Sequence, residues 1–251
     1  MQISTYFLWF IFYSFLGWFY ESTIISIPDY HKFINRGYLL GPYCPIYGAG
    51  AVINIVLLQN VKSSIAIFLI AVVTSSIVEY ITSYTMEKLF HARWWDYSKY
   101  PLNLNGRICF YGGVVFGIGN VLLLKVVHPH IRNFTSTIPS WILQMSAILI
   151  FIIIMLDTIV TTIHINNFNI KLKSIHDSFN LKISNSISTV LEKRRDLYGN
   201  LKALKKARSK LNLLNLKKQF KHSELRILHA FPKFKSTRYS EIVEKIKEIM
   251  K

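Results

Sequence analysis

The sequence predicts an all-α, polytopic helical membrane protein, with about five transmembrane helices and a basic cytoplasmic helical tail. Composition is the first reason: of 251 residues, 51% are hydrophobic and 17% charged, whereas soluble domains carry roughly a quarter charged residues. The second is a set of apolar runs, each near the roughly 20 residues that cross a hydrocarbon layer about 30 Å thick. The third is the placement of charge. Residues 1 to 164 hold nine Lys and Arg against six Asp and Glu, a balance of +3, and residues 165 to 251 hold 21 against seven, a balance of +14. An apolar body therefore precedes a basic tail, and we divide the chain into a transmembrane bundle, 1–165, and a basic amphipathic cytoplasmic tail, 166–251.

Five spans are expected in order. The first, Ile3 to Ile27, has no positive charge before Lys32, so it lacks the basic n-region of a signal peptide and reads as a retained span. The second, Tyr38 to Leu58, is interrupted by Pro42 and Pro45 and is expected to be kinked or partly re-entrant. Ser64 to Leu89, Ile108 to Val127 and Trp141 to Ile165 complete the set. In the tail, Ile187, Leu191, Tyr198, Leu201, Leu204, Leu211 and Leu214 recur at helical steps between cations, predicting an amphipathic basic helix from about Lys182 to Leu228. Phe231-Pro232 breaks it, and Ile242, Ile246 and Ile249 mark a short final helix.

Lys and Arg in short loops set the orientation. The 28–37 loop has Lys32 and Arg36, and the 88–107 loop has Lys88, Arg93, Lys99 and Arg107; both share a side with the tail. Lys62, Lys125 and Arg132 lie opposite. This predicts an outside N-terminus and a cytoplasmic tail near anionic lipid headgroups. The formal net charge of +17 would suit a nucleic-acid binder, but the cations sit in a tail with few interleaved aromatics, so no nucleic-acid partner is expected. Cys44 and Cys109 are too few for a disulfide scaffold. Neither they nor His91 and His164 show metal-ligand spacing, so no metal or other cofactor is expected.

Carboxylates inside spans are costly and face a bundle interior or watery cavity. Glu21, Glu79, Glu87 and Asp157 all fall late in outside-to-inside spans and gather toward one face. That face also receives the loops carrying Arg36, Arg93, Asp96 and Arg107. Asn35-Arg36-Gly37 and Asn105-Gly106-Arg107 each place an amide, a bend and a guanidinium before a helix start, where an anion could be held. The candidate polar cavity is thus Glu21, Asn35, Arg36, Glu79, Glu87, Asp96, Asn105 and Arg107. The alternative is that the arginines pair with Glu21, Glu79 or Asp96 simply to hold loops onto the bundle. Trp94, Trp95 and Tyr97 are expected either to anchor at the interface or to stack on a ligand. Gly48-Ala49-Gly50-Ala51 and Gly113-x-x-x-Gly117 suit close helix packing.

Three segments are distinctive: Asn35 to Gly48 (NRGYLLGPYCPIYG), His91 to Ser98 (HARWWDYS) and Asn103 to Cys109 (NLNGRIC). With Gly17-Trp18-x-x-Glu21, Glu79-Tyr80, Glu87-Lys88-Leu89-Phe90, Leu228-His229-Ala230-Phe231-Pro232 and Arg238-Tyr239, they make the chain resemble the bacterial family labelled "Putative ABC-transporter type IV", the CmpB-like permeases. The resemblance spans nearly the whole chain and implies a multi-pass permease component of a bacterial plasma membrane. The sequence has no G-x-x-x-x-G-K phosphate loop, so an ATP-driven role needs a separate ATP-binding subunit, for which the 88–107 loop is a candidate docking site. No nucleophile triad is recognisable, and the chain reads as a non-enzymatic component by itself. Two other readings stay open: a membrane-embedded enzyme acting on a lipid headgroup or lipid-linked substrate, and an assembly or sensor protein acting through its basic tail.

Overall fold

The computed structural model describes residues 2–31, 33–192 and 220–250. It is an all-α bundle with helices long and apolar enough to cross a membrane at Ile3–Pro28, Ser64–Phe90, Phe110–Thr137 and Ser140–Ser178. Helix α1 (Ile3–Phe19) passes through a π-helical turn, Tyr20–Ile25, into the short α2 (Ser26–Tyr30). The Ser26 hydroxyl donates to the Glu21 carbonyl, 2.8 Å away, within the widened turn. Such turns re-aim side chains at functional positions, and this one carries Glu21.

The second expected span is corrected. Helix α3 (Pro45–Leu58) has 14 residues, about 21 Å at 1.5 Å per residue, too short to cross alone. Proline restricts the residue before it to extended conformations and is well placed at the first helical position. Pro42 and Pro45 accordingly hold the chain open until Cys44. The preceding segment enters the bundle unwound, so that the Cys44 amide donates to the Ser14 carbonyl in the middle of α1, at 2.9 Å. Asp157 supplies what a helix would have supplied. Its carboxylate accepts the Leu40 and Gly41 amides at 3.0 and 2.8 Å, the Tyr43 hydroxyl at 2.6 Å and the Thr161 hydroxyl at 3.0 Å.

Helix α4 (Ser64–Phe90) buries Ile67, Ala71, Ser75, Glu79 and Ser83, one face at four-residue steps. Helix α5 (Phe110–Leu122) continues through a π-helical turn, Leu123–Val127, into α6 (His128–Thr137), so the fourth span runs past its expected end at Val127. Helix α7 (Ser140–Glu192) has 53 residues. The fifth span therefore does not end at Ile165, and the start of the expected tail helix is its direct continuation. Residues 193–219, which carry Tyr198, Leu201, Leu204, Leu211 and Leu214, lie outside the described residues.

Helix α1 packs on α3, α3 on α4, and α4 on α5, while α7 lies against α1 with Phe151 edge-on to Phe7. The α1–α3 contact is intimate because it is reciprocal: a side chain at Gly17 would strike the Tyr47 ring, and one at Gly48 would strike the Phe10 carbonyl. Close approach through small residues is how apolar helices associate without a hydrophobic driving force.

Beyond the bundle, α8 (His222–Ala230) and α9 (Ser240–Met250) fold back onto α7 and the loop after α4. Strand β1 (Ala92–Arg93) pairs antiparallel with β4 (Lys235–Ser236), and β2 (Asn103–Leu104) with β3 (Ile108–Cys109). Trp94 is buried in this second core among Phe90, Phe231 and Phe234. It neither anchors at an interface nor stands ready for a ligand, because the returning segment covers it.

Removing the Asp157 acceptors strands two part-buried amides, each costing about 1–3 kcal/mol at most. Asp157→Ala is expected to destabilise the purified protein by about 2–4 kcal/mol, and Asp157→Asn, which keeps one acceptor, by less. Thermal unfolding in detergent, followed by tryptophan fluorescence, measures the order.

Candidate functional site

A cavity of about 440 Å³ lies between α1, α3, α4 and α5. Its walls are largely apolar: Leu16, Ile46, Val78, Val115, Phe116, Ile118, Leu122 and Leu123. Gly50 and Gly119 border it with open space where a side chain would stand. One glycine pair thus closes the α1–α3 contact while another keeps the neighbouring space empty. Leu16, Ile118 and Leu122 are 38, 53 and 56% exposed, so the cavity opens sideways, through the flank of the bundle.

The far end, away from the long loops, is shut. Tyr13 packs beside Trp9 and shares a hydrogen bond with the His128 imidazole at 3.0 Å, and Leu123, Val127 and Ile131 close over them. In the middle, the Asn54 and Asn120 amides each donate to the Ser75 hydroxyl oxygen at 3.3 Å, and the Thr74 hydroxyl donates to Asn54 at 2.5 Å. Asn120 also donates to the Phe116 carbonyl at 2.8 Å, while its Oδ1 is buried without a partner. One helical turn beyond Ser75 stands Glu79, 5% exposed, at the loop end of the cavity. Tyr97 reaches in from the 91–107 loop and hydrogen-bonds it; burial first, then the Glu79 charge, push the Tyr97 hydroxyl well above the ordinary phenol range.

The other expected site residues divide into pairs around this cavity. Glu21 accepts Arg36 at 2.9 Å and the Tyr47 hydroxyl at 2.6 Å, and the Arg36 amide donates to Ser22. Asn35 accepts the Trp18 indole N–H at 2.7 Å and donates to the Leu40 carbonyl, shaping the unwound segment. Glu87 receives Arg107 at 2.9 Å and Arg93 at 3.0 Å. The buried Arg107 guanidinium also lies over the Tyr80 and Tyr84 rings and reaches Ser83. Asn105, at positive φ, donates to the Tyr80 hydroxyl. Asp96 accepts Lys235 at 2.6 Å and the Ser98 amide at 2.9 Å. Gly106, at φ 67°, turns the loop tightly against Asp96, where a side chain would collide with Oδ1. Glu79 is the one of the eight that lines the cavity, and Tyr47, which lines it too, donates to Glu21.

Tyr47, Tyr97, Ser75, Asn54 and Asn120 were not singled out by the charges. Asn54 and Asn120 were nonetheless visible as amides inside apolar runs, costly for the same reason as acids. Asn120 falls on the stripe of Gly113 and Gly117, and Ser75 extends the four-residue ladder of Glu79, Ser83 and Glu87 one step back. Tyr97 could be placed only by the fold of its loop. Among the described residues no group of His, Cys, Asp and Glu is arranged to hold a metal ion.

A family model described as "Putative ABC-transporter type IV" matches residues 8–162, which includes every wall of the cavity. No curated protein and no solved structure matches the chain.

Asp96 ties the loop to the returning segment. Partial burial opposes its ionisation, but Lys235 and the Ser98 donors outweigh that and hold the carboxyl well below its ordinary range. A depressed carboxyl stabilises the folded contact above the unfolded pKa of about 3.9 and loses that contribution as pH falls toward the folded value. Hydrogen-exchange protection at 92–93 and 235–236 is therefore expected to be level near neutrality and to fall below about pH 4. Asp96→Asn should remove that pH dependence.

Proposed function

From a chain that belongs to the "Putative ABC-transporter type IV" family, we propose a permease-type component of a bacterial plasma membrane whose substrate site is the side-opening cavity ending at Glu79. The observation that carries this reading is the cavity itself: about 440 Å³ held open between four helices, within the 300–1,000 Å³ of small-molecule sites. Its walls come from helices rather than loops, so packing fixes their positions. The polar groups that meet it are few, and the one charged group among them, Glu79, sits at the loop end.

The loop end is the cytoplasmic side in this reading, because Arg36, Arg93, Lys99, Arg107 and the tail cations collect there. The N-terminus is then outside, and the basic tail after residue 165 lies near anionic headgroups. Energy comes from a separate ATP-binding subunit. Part of the 88–107 loop is already covered by the returning segment through β1–β4 and Trp94, so such a subunit would meet the composite of loop, α8 and α9. A lipid-headgroup enzyme would need a guanidinium free to hold phosphate. Arg107 is engaged with Glu87 and two tyrosine rings, which favours the permease reading.

In proteoliposomes containing the protein and an ATP-binding partner, Gly119→Leu is expected to cut flux of an apolar substrate at least tenfold by filling the cavity. Gly112→Ala, on the same helix but outside the cavity, should leave flux intact. Equal flux in both variants across a panel of apolar and amphipathic substrates would remove the cavity from the transport path.

A further inference from the structure

We propose, resting on the assignment of this cavity as the substrate site, that its ligand is a lipophilic amine: one apolar chain or ring system ending in an ammonium group that pairs with Glu79. The charge pattern around the cavity points there. Glu21 is matched by Arg36, Glu87 by Arg93 and Arg107, Asp96 by Lys235, and Glu224 by Lys171. Asp157 has two backbone amides and two hydroxyls instead. Among the described residues Glu79 forms no ion pair; its partner is the Tyr97 hydroxyl. A carboxylate in an apolar layer is strongly disfavoured without a cation or a full set of donors, and Glu21, Glu87, Asp96, Asp157 and Glu224 each have one or the other.

A second, independent observation has the same sign. Among the described residues no Lys, Arg or His lines the cavity. The one charged group it offers a ligand is therefore the Glu79 carboxylate at the loop end, beside the hydroxyls of Tyr20, Tyr47 and Ser75. The complement of that carboxylate is a positively charged donor, and an ammonium supplies three N–H groups. A carboxylate or phosphate headgroup would meet repulsion there. The apolar walls take the remainder of the molecule, and the exposed rim at Leu16, Ile118 and Leu122 lets it arrive from the lipid.

Equilibrium binding to the full chain in nanodiscs of neutral lipid tests this, with tritiated dodecylamine, dodecanol and dodecanoate as probes that share one chain. Expected is saturable binding of the amine, at least tenfold tighter than the alcohol or the acid. Glu79→Gln should weaken the amine at least tenfold and leave the alcohol unchanged, and Gly119→Leu should abolish amine binding. If alcohol or acid binds as tightly as the amine to the wild type, and Gly119→Leu abolishes that binding, the cavity stands as a site and the amine assignment falls. If no probe saturates, or Gly119→Leu changes none of them, the assignment of the cavity falls as well. The wild-type comparison of three headgroups decides the matter even if Glu79→Gln does not fold.

Discussion

The bundle depends on satisfying backbone that is not helical at the depth of the apolar layer. Hydrocarbon offers no hydrogen bonds, so an unwound segment there survives only where protein groups replace water. Residues 33–44 are such a segment, and Asp157 on a different helix is the acceptor that makes it possible. The consequences run outward. Because the segment is held, α3 starts at Pro45; because α3 starts there, Tyr47 lies against Gly17 and its hydroxyl meets Glu21. The shortness of α3 and its tight seat on α1 leave the concave space that α4 and α5 border. A carboxylate far from the cavity thus sets its shape.

Charge inside the fold serves two ends. Most interior acids are consumed locally: Glu87 with Arg93 and Arg107 pins the 91–107 loop to α4, and Glu21 with Arg36 pins the unwound segment to α1. The returning chain adds its own ties, with Arg226 donating to the Gly37 and Tyr38 carbonyls and Lys171 to Glu224. These are architectural pairs in which each desolvated charge has its opposite within hydrogen-bond range. Glu79 differs in facing space instead of a cation, and that difference marks it out more sharply than burial does.

Much of the fold was legible because membrane helices announce themselves by length and apolarity, and the gathering of acids at one end followed from counting depth along each span. The proline pair correctly warned that the second span was irregular. It could not give the remedy, since Asp157 lies more than a hundred positions away. The eight charged and amide residues expected to form one polar cavity instead fall into several closed pairs with Glu79 left over. Sequence can bring opposite charges to a face, but only side-chain geometry says which are spent on one another. Trp94 was misread for a related reason: the residues that bury it, Phe231 and Phe234, arrive from the far end of the chain.

The sideways opening alters what an affinity for this protein would mean. A site reached from the bilayer samples the concentration of ligand dissolved in lipid, which for each added methylene grows by about 0.8 kcal/mol of partition free energy. Lengthening a ligand's chain will therefore raise its apparent potency even if the cavity walls contribute nothing. Potency rankings across a homologous series would describe the membrane. Discrimination by the protein itself resides in comparisons at constant chain length, where partition changes least and the Glu79 carboxylate at the loop end is left to choose.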